Sequence, residues 1–139
     1  MAVHEASDVN YVIRSAEGGQ SSAADAVDVD IETIDSFSRA RGIEEIDYLK
    51  IDTEGYDLEV LRGTEQMLNS RRVGFVQVEA GMNPLNRKHV PLAEFVAYLE
   101  PKGYLPFGVY EQHLEWSGEP RLRLCNAVFV SEEAVRARR

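Results

Sequence analysis

Three carboxylates and one histidine stand where the direction of the chain could bring them together. Asp52 and Glu54 close the stretch 46–52, Glu79 lies near the end of the apolar run 73–80, and His89 sits in the loop 81–90 that follows. If both stretches are parallel strands of one sheet, their carboxyl ends share an edge, and open α/β sheets bind ligands outside the carboxyl ends of their strands. Several chemistries are then available. Hard oxygen ligands could hold Mg²⁺ or Ca²⁺. One carboxylate, its pKa raised by its neighbours, could take the proton from a hydroxyl or amine. Asp52 and Glu54 could equally accept backbone N–H bonds at the positive end of the next helix. His89 is either a loop residue at the working end of the sheet or a solvated side chain. Asn83, Asn86 and Arg87 share its loop and could meet a polar acceptor or shape the turn. No His/Cys spacing of the zinc kind occurs, and no metal ligand is assigned. Lys50, beside Asp47 and Asp52, reads as an ion-pair partner or a snorkelling surface residue and not as a catalytic amine. His4 and His113 have no motif beside them.

The elements that must position these residues follow from periodicity. Residues 9–15 have strand composition, and Gly18 and Gly19 lie in a loop-like segment. Val27, Val29 and Ile31 alternate with Asp28 and Asp30, which predicts a half-exposed strand. Thr33 is placed to cap a short helix carrying Ile34 and Phe37, with Gly42 at its end. The strand 46–52 comes next, and Gly55 turns the chain into a helix with Leu58, Leu61 and Leu68 on one face. The run 73–80 has the continuous apolar character of a parallel strand covered on both sides. Leu92, Phe95, Val96 and Leu99 define an amphipathic helix that Gly103 ends. Two strands, 104–110 and 122–130, close the chain as an antiparallel pair, joined by a loop with Trp116, Ser117, Gly118 and Pro120. Phe107, Tyr110 and Trp116 could line a pocket, but aromatics there usually complete a core. In the tail, Glu132 and Glu133 precede Arg136, Arg138 and Arg139, an order that suits a helix dipole. The alternation of strands and helices predicts an α/β layer fold with a mostly parallel sheet.

Composition sets limits on function. With 139 residues, 44% of them apolar, the chain can bury one core, and we expect a single domain over 1–139, made of an extended segment at 1–31 and an α/β core at 32–139. A formal charge of −9 argues against nucleic acid as a partner. The single cysteine, Cys125, cannot form an internal disulfide, no apolar run is long enough to span a bilayer, and residues 1–10 lack the apolar core of a signal peptide, all of which points to the cytoplasm.

The stretch Ile46-Asp47-Tyr48-Leu49-Lys50-Ile51-Asp52-Thr53-Glu54-Gly55, continuing through Leu58-Glu59-Val60-Leu61-Arg62-Gly63, resembles the signature of the FkbM family of S-adenosylmethionine-dependent methyltransferases. There a strand of the form I-D-x-x-K-I-D-x-E-G runs into a helix of the form E-x-x-V-L-x-G. Glu79, the Gly103-Tyr104 step and Asn126-Ala127-Val128-Phe129 are similar to later landmarks of the family, and residues 2–7 resemble the exit from its third strand. The resemblance implies the C-terminal half of a class I, Rossmann-like fold, with strands in the order 4-5-7-6. It implies S-adenosylmethionine as cofactor and a small metabolite or sugar hydroxyl as acceptor, with Asp52, Glu54, Glu79 and His89 as candidate catalytic residues. The family's glycine-rich turn, of the D-x-G-A-N-x-G kind, and the ribose-binding acid after it are not in this sequence, so no cofactor-binding residue is assigned. On that reading the chain forms one wall of the cofactor crevice, and the edge of the strand 46–52 invites a homodimer. The alternative is a catalytically inactive half-domain that serves in dimerisation or partner binding.

Overall fold

The computed structural model describes residues 2–5, 10–13, 26–28, 30–115 and 118–136. The chain divides into two compact units, Met1–Glu32 and Thr33–Arg139. In the first, β1 (Ala2–Glu5), β2 (Asn10–Ile13) and β3 (Ala26–Asp28) form an antiparallel sheet in the order β2-β1-β3. The Gly18-Gly19 segment lies outside the described residues, as do Val29, Trp116, Ser117, Arg138 and Arg139.

The second unit opens with α1 (Ile34–Arg41), whose ends are set by local chemistry. Thr33 accepts the Ser36 N–H at 3.1 Å, and Gly42 closes the helix in the left-handed region at φ 65°. After β4 (Ile46–Lys50) the chain makes two short helices, α2 (Asp57–Arg62) and α3 (Glu65–Asn69), where the leucine spacing predicts one. The break falls at Gly63-Thr64. There the Asp35 carboxylate, reaching across from α1, accepts the N–H groups of Gln66 at 2.9 Å and Met67 at 3.1 Å and so starts a new helix. Then come β5 (Val73–Gly81), α4 (Leu92–Leu99), a 3-10 turn (Glu100–Lys102) ended by Gly103 at φ 84°, β6 (Tyr104–Leu114), β7 (Leu122–Ser131) and α5 (Glu132–Arg136).

The four strands lie in the order β4-β5-β7-β6. The expectation of a mostly parallel sheet is corrected: β4 and β5 pair parallel, whereas β5–β7 and β6–β7 both pair antiparallel. The cause is the short β6–β7 connection. It turns β7 back on β6 and inserts it between β6 and β5, so three strands share a direction while only one pairing is parallel.

One face of this sheet carries the core. Val76, Val78 and Ala80 of β5 and Cys125, Ala127 and Phe129 of β7 pack against Leu61, Leu68, Phe95 and Leu99 from the helices. Tyr104 is fully buried at the margin and donates to the Val73 carbonyl at 2.8 Å; burial pushes its phenol up to about 12. The opposite face is open. Tyr48, Phe75, Phe107 and Tyr110 line a groove of about 570 Å³ there, with Phe107 57% and Tyr110 49% exposed. The expectation that Phe107 and Tyr110 complete a core therefore fails, because both stay exposed on the face opposite the core cluster. No helix among the described residues is long and apolar enough to cross a membrane.

Cys125 gives a direct check of this packing. Its thiol is buried against the Met82 sulfur at 3.2 Å, and burial raises its pKa. Thiol-specific labelling of the native protein at pH 8 is expected to proceed at the rate of unfolding and to become fast in denaturant. Rapid labelling without denaturant would contradict the core assigned to β7.

Candidate functional site

The working end of the parallel pair is built around a turn. β4 continues its ladder one residue past its end, with the Ile51 N–H donating to the Gln77 carbonyl at 2.9 Å, and then Thr53, Glu54 and Gly55 turn the chain into α2. Sequence reasoning missed the residue that fixes this turn, Asp57. Its carboxylate is 1% exposed and accepts from the Thr53 hydroxyl at 2.9 Å, the Thr53 N–H at 3.3 Å and the Glu79 N–H at 3.2 Å. One side chain thus joins the turn after β4 to the strand that carries Glu79. The Thr53-x-x-x-Asp57 spacing was visible, but nothing in it foretold the bond to β5.

Two backbone features then bring the loop 81–90 onto the turn. Gly55 has φ 106°, and a Cβ placed on it would lie 2.3 Å from the Lys88 carbonyl oxygen. Only glycine permits that approach. Glu54 has φ 53°, a left-handed conformation that glutamate adopts only under constraint. From the other side, the Gly81 N–H donates to the Val90 carbonyl at 2.8 Å.

Inside the loop, Asn86 does what the turn reading of its sequence expects. Its Nδ2 donates to the Arg123 carbonyl at 2.9 Å, and its Oδ1 accepts the N–H groups of Lys88 and His89, each at 3.2 Å. These bonds fix which way the amide points, so the His89 Nδ1, 3.0 Å from the same Oδ1, carries a proton and donates it. Asn83 likewise accepts the Leu85 N–H at 2.9 Å and donates to the Glu115 carboxylate at 2.8 Å.

Three of the four candidate residues meet as a result. His89, 6% exposed, turns Nε2 to Glu79 Oε2 at 2.8 Å and to Glu54 Oε2 at 3.6 Å. One ligand atom from each of the three lies within 4.8 Å of the others. Lys88 reaches Glu54 Oε2 at 2.8 Å. Asp52 stands outside the group, in a surface ion pair with Lys50 at 3.2 Å, as the sequence suggested for that lysine. Burial raises the pKa of Glu79; His89 opposes the shift, and the charges of Asp52, Glu54 and Asp57 add to it. Chemically, the cluster can bind a cation or take up a proton.

A groove of about 940 Å³ adjoins His89, lined mainly by Met82, Pro84, Pro91, Leu92 and Val96. The only glycine of the β4–α2 turn is covered by the Lys88 carbonyl.

Comparison with known proteins adds the family. Residues 4–106 match the model of the methyltransferase FkbM domain, a span that contains Asp52, Glu54, Asp57, Glu79 and His89. The Asn126-Ala127-Val128-Phe129 segment falls beyond it. No curated protein and no solved structure matches the chain.

Two substitutions test the construction of the turn. Asp57→Ala leaves the buried N–H groups of Thr53 and Glu79 without an acceptor and is expected to cost about 3 kcal/mol of stability in urea unfolding. Gly55→Ala is expected to cost about 2 kcal/mol, because its Cβ meets the Lys88 carbonyl and its φ becomes strained. A loss under about 0.5 kcal/mol for either, the scale of an ordinary surface substitution, would remove that contact from the account.

Proposed function

The chain belongs to the FkbM methyltransferase domain family, and we propose that it takes part in S-adenosylmethionine-dependent methylation of a hydroxyl on a small metabolite or sugar. The observation that supports this reading most is the convergence of Glu54, Glu79 and His89 at the carboxyl ends of the parallel pair β4–β5. Family membership implies a cofactor of the S-adenosylmethionine type, which when bound presents an electrophilic methyl group. The residues described here act on the acceptor. A hydroxyl oxygen that takes a methyl group must shed its proton, and the Glu79 carboxylate, whose burial favours the protonated form, is suited to receive it. His89 holds that carboxylate in place, with Asn86 fixing the imidazole behind it, and the Glu54 charge adds to the rise in its pKa. Asp52 adds only its charge at longer range. The lone buried cysteine is in keeping with a cytoplasmic setting.

A second reading, a partner-binding or dimerising module, is favoured by a different observation. Among the described residues β4 pairs only with β5, and the aromatic face beside it is exposed. A homodimer through the β4 edge would cover both features.

The readings separate on cofactor binding. The first expects saturable binding of S-adenosylhomocysteine by calorimetry and transfer of labelled methyl to a hydroxyl acceptor. It also expects Glu79→Gln to slow turnover by about 10²-fold or more without weakening S-adenosylhomocysteine. Absence of binding at millimolar ligand, together with a dimeric mass by light scattering, would leave the second.

A further inference from the structure

We propose that Glu54, Glu79 and His89 form a binding site for one first-row divalent metal ion of the Mn²⁺ or Zn²⁺ class. The protein ligands are the His89 Nε2 and one oxygen of each glutamate.

The cluster is more than neighbouring acids, because the imidazole is oriented from behind. His89 is more than nine-tenths buried, and its Nδ1–H is committed to Asn86 Oδ1 at 3.0 Å. In that tautomer Nε2 presents a lone pair, and what it faces is two carboxylate oxygens, at 2.8 and 3.6 Å, which are themselves acceptors. Three acceptors that converge in this way favour a positive centre among them, and the Lys88 ammonium reaches only the Glu54 oxygen. A single proton satisfies the contact with Glu79 and the Lys88 ammonium pairs with Glu54 from outside; a divalent ion joins all three ligand atoms at one centre. An outer N–H bond that fixes the tautomer is also the usual companion of a metal-binding histidine.

The dimensions agree. With ligand distances of about 2.0–2.2 Å, adjacent ligand atoms lie about 2.8–3.1 Å apart around an octahedral ion and about 3.3–3.6 Å apart around a tetrahedral one. The three atoms here lie within 4.8 Å of one another, with the shortest separation 2.8 Å, so shifts of the two glutamate side chains suffice. One nitrogen with two carboxylates favours Zn²⁺ or Mn²⁺ over Mg²⁺ and Ca²⁺, which prefer all-oxygen sites. Three protein ligands leave positions open to a ligand's oxygen atoms. Lys88 is the built-in competitor, since its ammonium contacts the same Glu54 Oε2 at 2.8 Å. Occupancy of this site does not depend on methyl transfer.

The probe is the metal alone. Chelator-treated protein is titrated with Mn²⁺, followed by electron paramagnetic resonance, and with Zn²⁺ and Mg²⁺ by calorimetry. Circular dichroism checks that each variant is folded. The expected result is one equivalent of Mn²⁺ or Zn²⁺ per chain, held more tightly than Mg²⁺. His89→Ala and Glu54→Gln should each weaken binding by about 10²-fold, and Asn86→Ala by about tenfold through the lost orientation of the ring. Lys88→Gln should tighten it, and the surface variant Asp47→Asn should not change it. Absence of stoichiometric binding by the wild-type protein, or affinity that survives both His89→Ala and Glu54→Gln in folded variants, would overturn the assignment and leave a proton shared between Glu79 and His89.

Discussion

The arrangement at the sheet edge depends on the Asp57 carboxylate. A carboxylate that is 1% exposed costs several kcal/mol to bury unless donors surround it, and here three donors do: the Thr53 hydroxyl, the Thr53 N–H and the Glu79 N–H. Two of these belong to the turn after β4 and one to β5, so satisfying a single charge locks the turn against the neighbouring strand. Glu54 then has a fixed backbone, Gly55 offers a bare surface to the Lys88 carbonyl, and His89 arrives one residue later between two glutamates. Parallel pairing of β4 and β5 brings the two segments side by side, and Asp57 sets their relative position on the scale of a hydrogen bond.

A second constraint comes from the one-sided burial of the sheet. Alternation along β5 sends Val76, Val78 and Ala80 to the helices and Phe75, Gln77 and Glu79 to the other face. Glu79 is therefore on the face that the described helices leave open, which is why it retains partial exposure beside a buried histidine. The aromatic groove and the acidic cluster occupy the same face for the same reason.

Much of this was legible in the sequence because it is local. Thr33 and Gly42 bound α1 as their types require, Gly103 ends the turn after α4, and the run 46–55 announced both a strand and a family. What was not legible depends on distant partners. The leucine spacing predicts one helix where there are two, since the capping carboxylate that divides them comes from Asp35, some thirty positions earlier in the chain. A sheet read as mostly parallel has one parallel pairing, because strand direction was legible but the insertion of β7 between its neighbours is a tertiary choice. Asp52 and Glu54 looked equivalent. The turn sends Glu54 inward to His89 and leaves Asp52 with Lys50 at the surface. Phe107 and Tyr110 carry core-like side chains on a face that the described elements leave exposed.

The backbone at Glu54 bears on why that residue is a glutamate. At φ 53° a glycine or an asparagine would be less strained, and the penalty for another residue is on the order of 1 kcal/mol or more. A position selected for its conformation alone would hold one of those two. The side chain retains 24% of its exposure and pairs with charged or titratable groups, Lys88 and His89. What glutamate gives at this place, and glycine cannot, is a second carboxylate opposite Glu79 with an imidazole nitrogen between them. The strain is thus accepted for a concentration of charge, and a concentration of charge at the carboxyl ends of parallel strands serves a ligand better than it serves the fold.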